Sequence, residues 1–489
     1  MRQEILTLGK HTLIYGTGII ISRAVSFIML PVYTRYLTPA DYGIMELLFM
    51  AIDIIAMIVG LGITGTVFKF YSDYKSPEEK REVICTAIIL IFVIASVTAI
   101  IGFIVSPNIS QVVFGNTDNS YYFQITFVIY FLQAGNNIPL MFIRAMQNST
   151  SFIVINLIKL LIQLSLNLLF LVWFEMGVIG VLYSTLLAEL TIASYLHVYT
   201  FHKIGFRFSI SKGRQMIKFG YPFIFASLSN FVITYSDRYF LNVYSTLTVV
   251  GIYSLAYKFG FLMGYLAVTP FMQVWEPQRF EIAKQDKVLP IFKRVFLYFN
   301  IFVISVSLFI SLFARDFLTI MSDPSYYEAY RIVPIVIIAY VFQAWTFYCN
   351  FGIYIKERSK HMAFANFISA MSNILLNFVL ILEYGALGAA WATVGSFFIR
   401  FLLVYMFSQK SFHIDYGWGK QLLLVILSIF IYMAGRTIEI PGIGISLVKN
   451  SFLMLLFGIL VYRFILNKLE KSIINQFIRN PVSFVKIAQ

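Results

Sequence analysis

The chain has little charge. Of its 489 residues, 12% are Asp, Glu, Lys or Arg, about half the roughly 25% of a soluble domain. That excludes a water-soluble globular protein. It also lacks the alternating ~10-residue segments of a transmembrane barrel, so helices are the expected spans. Cysteine is scarce. Cys85 and Cys349 are the only two, both expected near the inner helix ends, and a disulfide is not expected. The five histidines (11, 197, 202, 361 and 413) are scattered and form no metal-ligand cluster. There is no Walker-type phosphate loop, so ATP is not the expected direct energy source and no cofactor is expected. Acidic residues are few, 23 against 37 basic, leaving a net charge of +14. Membrane topology accounts for that excess better than nucleic acid does, because inner loops of membrane proteins are rich in Lys and Arg. No small-residue cleavage site follows the first apolar run, which reads as a retained span.

What is present is apolar. Hydrophobic residues make up 59% and aromatic residues 18%, and the mean hydropathy is +0.81. Runs near the ~20 residues that cross a bilayer recur about fourteen times. Their cores lie near 12–33, 43–66, 83–106, 121–143, 151–174, 178–201, 217–241, 249–274, 296–314, 328–350, 363–383, 386–407, 420–438 and 447–466. With the N-terminus inside, 27 Lys and Arg fall on inner segments and 5 on outer ones. That bias predicts an all-α polytopic membrane protein with both termini cytoplasmic. The basic segment 467–489 reads as an interfacial tail on anionic lipid.

The chain repeats itself. Shifted by 208 residues, Lys10 falls on Lys218, Tyr36 on Tyr244, Thr38 on Thr246, Gly43 on Gly251 and Leu47 on Leu255. The same shift brings Glu175 onto Glu383, Gly177 onto Gly385, Gly180 onto Gly388 and Thr185 onto Thr393. Six spans per copy predict two six-helix lobes in pseudo-twofold relation, 1–208 and 209–408, with two additional helices and a tail over 409–489.

Five cations fall inside spans: Arg23, Lys159, Arg238, Lys258 and Arg400. Each costs about 2.5–3.5 kcal/mol at a helix centre, so most are expected to face protein or water. Arg238 and Arg400 lie nearer span ends, where a long side chain reaches the interface. The in-span carboxylates are Glu46, Asp53, Glu189 and Asp237. Asp53 and Glu189 are the deep ones and the candidates for coupling to protons or sodium. Pairing for packing alone, for instance Arg23 with Asp53, is the plainer expectation for the same residues.

Polar residues also line helix faces. Asn156, Lys159, Gln163 and Asn167 lie on one face of span five, and Asn366, Ser369, Asn373 and Asn377 on one face of span eleven. Ser22 and Ser26 in span one correspond to Asn230 and Thr234 in span seven. Two readings follow, a hydrated path and interhelical hydrogen bonding. Tyr33, Tyr36, Tyr42 and Trp275 are expected in an interfacial aromatic belt.

The segment from Lys10 through Arg23 to LPVYTRYLTPADYG at 30–43 resembles polysaccharide flippases of the Wzx type. These belong to the multidrug/oligosaccharidyl-lipid/polysaccharide exporter superfamily. The resemblance implies two lobes forming a V, alternating access, and a bacterial inner-membrane location. It implies a polyprenyl-diphosphate-linked glycan as substrate, moved from inner to outer leaflet. Membrane lipids and a polysaccharide polymerase are the implied partners. The family's functional arginine falls on Arg23. The appended helix pair is similar to that of the lipid II flippase branch, where it holds the prenyl tail. In this reading Arg23, Lys159, Lys258 and Arg238 attract the diphosphate. The amides of Asn156, Gln163, Asn167, Asn230, Asn366, Asn373 and Asn377 then meet sugars. The alternatives are an ion-coupled multidrug antiporter, which wants acidic walls, and a membrane glycan polymerase or ligase. The latter needs catalytic groups on a large outer loop, and the longest here, 107–120 and 315–327, are short.

Overall fold

The computed structural model describes residues 27–60, 62–146, 148–284, 288–438, 442–468 and 470–472, and these are helical with no strand. Arg23, Ser22 and Ser26 lie outside the described residues. The helices begin with α1 (Leu30–Tyr36), α2 (Pro39–Val59), α3 (Ile63–Asp73), α4 (Pro77–Phe114), α5 (Ser120–Ala145) and α6 (Ser149–Asn167). There follow α7 (Gly177–Ile204), α8 (Ile210–Gly220), α9 (Pro222–Tyr244), α10 (Leu247–Met263), α11 (Thr269–Ile282) and α12 (Val288–Met321). The last are α13 (Ala329–Cys349), α14 (Phe351–Ile355), α15 (Ser359–Ser411), α16 (Trp418–Thr437) and α17 (Ile443–Leu460).

Eleven segments among the described residues are long and apolar enough to cross a bilayer, and the chain is a multi-pass membrane protein. The expected first span lies largely outside the described residues. The 23-residue α9 is not among the eleven; it carries Asn230, Thr234, Ser236, Asp237 and Arg238, which lower its hydropathy. Expected spans eleven and twelve form the single 53-residue α15, interrupted only at Gly385, where φ is +54°. The outer loop expected over 107–120 is mostly helix, because α4 continues to Phe114 through Pro107.

Repeat-related residues take matching local structure. The Thr38 hydroxyl accepts from the Asp41 amide and the Thr38 amide donates to the Asp41 carboxylate, a capping box that starts α2. Thr246, 208 positions on, accepts from the Val249 amide at 3.3 Å and starts α10. The two helices then cross at glycines. A Cβ on Gly43 would overlap the Leu247 carbonyl, and one on Gly251 would overlap the Pro39 carbonyl. Pro39 and Leu247 are themselves 208 apart, so the crossing has local twofold symmetry. Further along, Gly177 at the start of α7 and Gly385 inside α15 have φ of +57° and +54°, values that favour glycine.

The described helices pack into two units. The first comprises the described residues within Met1–Lys258, Met321–Ile332 and Ala363–Arg400. Part of its core is Ile143, Ile155, Ile192 and Leu196, between α5, α6 and α7. The second comprises the described residues within Phe259–Ile320, Val333–Met362 and Phe401–Gln489. Its core is aromatic: Trp275 stacks on Tyr348 at 5.4 Å and 10°. In that unit α17 is held to α12 by Asn450, whose amide donates to Asp316 at 2.7 Å and to the Leu312 carbonyl at 3.1 Å. The interfacial-belt expectation is corrected for three residues. Trp275 is buried in the second unit and Tyr42 in the first, while the Tyr33 hydroxyl accepts a bond from another helix. Tyr36 alone of the four is largely exposed.

Candidate functional site

Three of the in-span cations meet carboxylates, all inside the first unit. Lys159 of α6 pairs with Glu189 of α7. The other Glu189 oxygen accepts from the Asn136 amide of α5 at 2.9 Å, so one carboxylate ties three helices. Its side chain is 1% exposed and that of Lys159 is 29% exposed. The predicted polar face of α6 continues in the same fashion. Gln163 donates to the Thr185 hydroxyl of α7 at 3.0 Å, and Asn167 donates to the Tyr33 hydroxyl of α1 at 2.9 Å. Asn156 turns back to the Phe152 carbonyl of its own helix at 2.7 Å.

The second pair stands just past the glycine crossing of α2 and α10. Lys258 lies 2.8 Å from Glu46, with side-chain exposures of 32% and 8%. Asp53, two turns further along α2, is exposed and makes no ion pair with a described residue. The third pair is local. Arg238 donates to its neighbour Asp237 at 3.1 Å and to the Thr234 carbonyl at 3.0 Å. Its guanidinium lies 4.5 Å from the Tyr257 ring centre, a cation–π contact in a buried setting. Asp237 also accepts from the Tyr253 hydroxyl. Two guanidinium nitrogens of Arg238, Nε and Nη2, have no hydrogen-bond partner.

The interfacial placing of Arg238 and Arg400 is corrected by their burial, 0% and 6% exposed. A guanidinium is held inside when aromatic faces and carbonyls replace water. The α15 amides are also interior. Asn373 accepts from the Ser236 hydroxyl of α9 at 2.8 Å and from Asn377 at 3.0 Å. It donates to the Ser396 hydroxyl at 3.1 Å, across the Gly385 break. Asn373 and Asn377 are fully buried and Asn366 nearly so, while Asn230 on α9 is exposed. The α15 amides thus act as interhelical hydrogen-bond donors and acceptors in this conformation.

Sequence reasoning set Glu46 aside and missed Asn136 and Thr185 as partners. A signal for Glu46 existed. Its repeat mate is Ser254, one turn before Lys258, so a twofold at the glycine crossing brings Glu46 and Lys258 face to face.

A family profile described as polysaccharide biosynthesis protein matches residues 8–283, more than half of the chain. The chain belongs to the polysaccharide biosynthesis protein family. An uncharacterised membrane protein of Methanocaldococcus jannaschii is 22% identical over 228 residues, 44% of this chain and 43% of that relative's length. Among solved structures, the lipid II flippase MurJ in an inward closed conformation superposes with a TM-score of 0.73 at 16% identity. It covers 92% of this family member and 99% of that chain. An inward-facing multidrug resistance MATE transporter gives 0.64 at 14% identity, over 79% and 94%. The fold is therefore the one these superfamily members share, as the opening motif suggested.

Proposed function

We propose that this protein is a flippase for polyprenyl-diphosphate-linked oligosaccharides, moving them from the inner to the outer leaflet by alternating access during surface polysaccharide assembly. The observation that carries the reading is the state of the in-span carboxylates. Of the four carboxylates expected inside spans, Glu46, Glu189 and Asp237 are each matched by a cation, and Asp53 alone is exposed without an ion pair to a described residue. An exporter of cationic drugs needs free carboxylates in its walls. Walls of this composition suit a substrate with an anionic diphosphate and neutral sugars.

In this reading the two half-exposed lysines, Lys159 and Lys258, exchange their carboxylate partners for phosphate oxygens as the substrate passes, and Arg23 adds a third cation. Asn230, Asn156 and Gln163 offer hydrogen bonds to sugar hydroxyls. Asp53 and Glu189 are the groups available for coupling to a proton or sodium gradient. The lobes at 1–208 and 209–408, the appended helices, cytoplasmic termini, an inner-membrane location and a polymerase partner belong to the same proposal. No catalytic step is part of it.

The test is purified protein in liposomes with a fluorescent undecaprenyl-diphosphate oligosaccharide, followed between leaflets by an impermeant quencher. Protein-dependent movement is expected. Lys258→Ala is expected to slow it about tenfold, the loss of one charge-assisted contact worth ~1.5–3 kcal/mol. No movement under an imposed proton or sodium gradient would overturn the proposal. Resistance to cationic drugs, lost in Asp53→Asn, would then favour antiport.

A further inference from the structure

A second basic site stands apart from these ion pairs, at the Lys- and Arg-rich end of α4, α5 and α7. A cavity of about 350 Å³ is lined by Lys75, Lys80, Arg81 and Lys203, with Tyr71 and Phe142 among its walls. The two rings meet edge to face at 6.3 Å. The Lys80 ammonium sits 5.1 Å from the Tyr71 ring centre, which holds it toward the cavity. Among the described residues, none of the four cations has a carboxylate within ion-pair distance. Of the carboxylates nearby in sequence, Glu78 accepts from Ser76 and Glu82 is bound to Lys212, while Asp73 and Glu79 pair with no described cation. Four positive charges in one cavity repel one another unless an anion joins them.

Lys203 also borders a second, apolar groove of about 440 Å³. This groove runs along one face of α7 past Tyr199, Val198 and Tyr195. Val198 is 73% exposed. The groove leads from the basic end toward the middle of a membrane-spanning helix. A basic cavity that shares Lys203 with an apolar trough fits one kind of molecule, an anionic headgroup on a long chain. Four cations exceed the single charge of a phosphodiester and are enough to neutralise a diphosphate.

We propose that this cavity and groove form a loading site for a lipid diphosphate, the headgroup among Lys75, Lys80, Arg81 and Lys203 and the prenyl chain along α7. The assignment rests on the flippase reading above and deepens it. The substrate is gathered here, at the periphery of the first unit, before it reaches the ion-paired lysines.

Farnesyl diphosphate is the probe, titrated against the full chain in phosphatidylcholine nanodiscs. Binding is expected to weaken by roughly tenfold or more in the triple variant Lys80→Gln/Arg81→Gln/Lys203→Gln. It should persist in the charge-keeping variant Lys80→Arg/Lys203→Arg, which controls for folding. Farnesol and inorganic diphosphate are each expected to bind more weakly, because the site needs both ends. Undiminished binding in the triple variant overturns the site. So does loss of wild-type binding when phosphatidylglycerol replaces part of the phosphatidylcholine, which would assign the pocket to bulk anionic lipid. The leaflet assay separates the two proposals. Binding lost in the triple variant without wild-type transport sinks the flippase reading and keeps the site. Transport with unaltered binding does the reverse.

Discussion

Lys159 and Glu189 sit on adjacent helices, and only the glutamate is sealed from solvent. Removing the lysine strands a buried carboxylate. Breaking a fully buried pair costs about 3–5 kcal/mol. With Lys159 29% exposed, water replaces part of that partner, and Lys159→Met is expected to lose nearer ~2 kcal/mol. Adding Glu189→Gln is expected to recover most of it, since an amide still bonds Asn136. Thermal unfolding in detergent checks this, and equal melting of the single and double variants would remove the pair from the account of stability. The face that holds Lys159 was legible because helical spacing places Asn156, Lys159, Gln163 and Asn167 together. The partners were not legible. Asn136 and Glu189 are 53 residues apart, and no local pattern announces a contact between separate helices. Arg238 shows the same limit. Its place near a span end suggested an interface, while the rings of Tyr235 and Tyr257 that enclose it come from two helices.

Helices α2 and α10 touch backbone to backbone because two glycines leave room, and Gly177 and Gly385 test a different property of glycine. At Gly385 nothing lies within reach of an added Cβ, so Gly385→Ala meets only the backbone penalty of φ +54° and ψ −128°, about 1–3 kcal/mol. At Gly43 the obstacle is the carbonyl of Leu247, which cannot turn aside as a side chain does. Gly43→Ala is therefore expected to lower the melting temperature more than Gly385→Ala, and Gly251→Ala to match Gly43→Ala through its twofold relation. A larger loss at Gly385 would mean that the crossing has slack. Both glycine pairs were readable as matches at a 208-residue shift, as was the position of the break in α15. That α15 is continuous on either side of one strained residue, and that α4 runs 38 residues, was not. Hydropathy marks where a helix is apolar, while hydrogen bonding decides where it stops.

Across the whole molecule the surplus of positive charge is a statement about orientation. The excess of Lys and Arg on alternate loops predicts that the connection between α3 and α4 and the stretch after α11 face the cytoplasm, and that the turn between α4 and α5 faces outward. The native cysteines are buried and leave single introduced cysteines readable. Asp118→Cys, in the exposed turn between α4 and α5, is expected to react with an impermeant maleimide in intact cells. Lys75→Cys and Lys284→Cys are expected to react only after the membrane is opened. The loading site and the leaflet from which substrate departs both depend on this outcome, because Lys75 lines the basic cavity. Labelling of Lys75→Cys from outside would place that cavity on the outer face and reverse the proposed direction of transport. Protection of Lys75→Cys together with labelling of Asp118→Cys would put the basic cavity on the side where a polyprenyl diphosphate glycan is assembled in the proposed route.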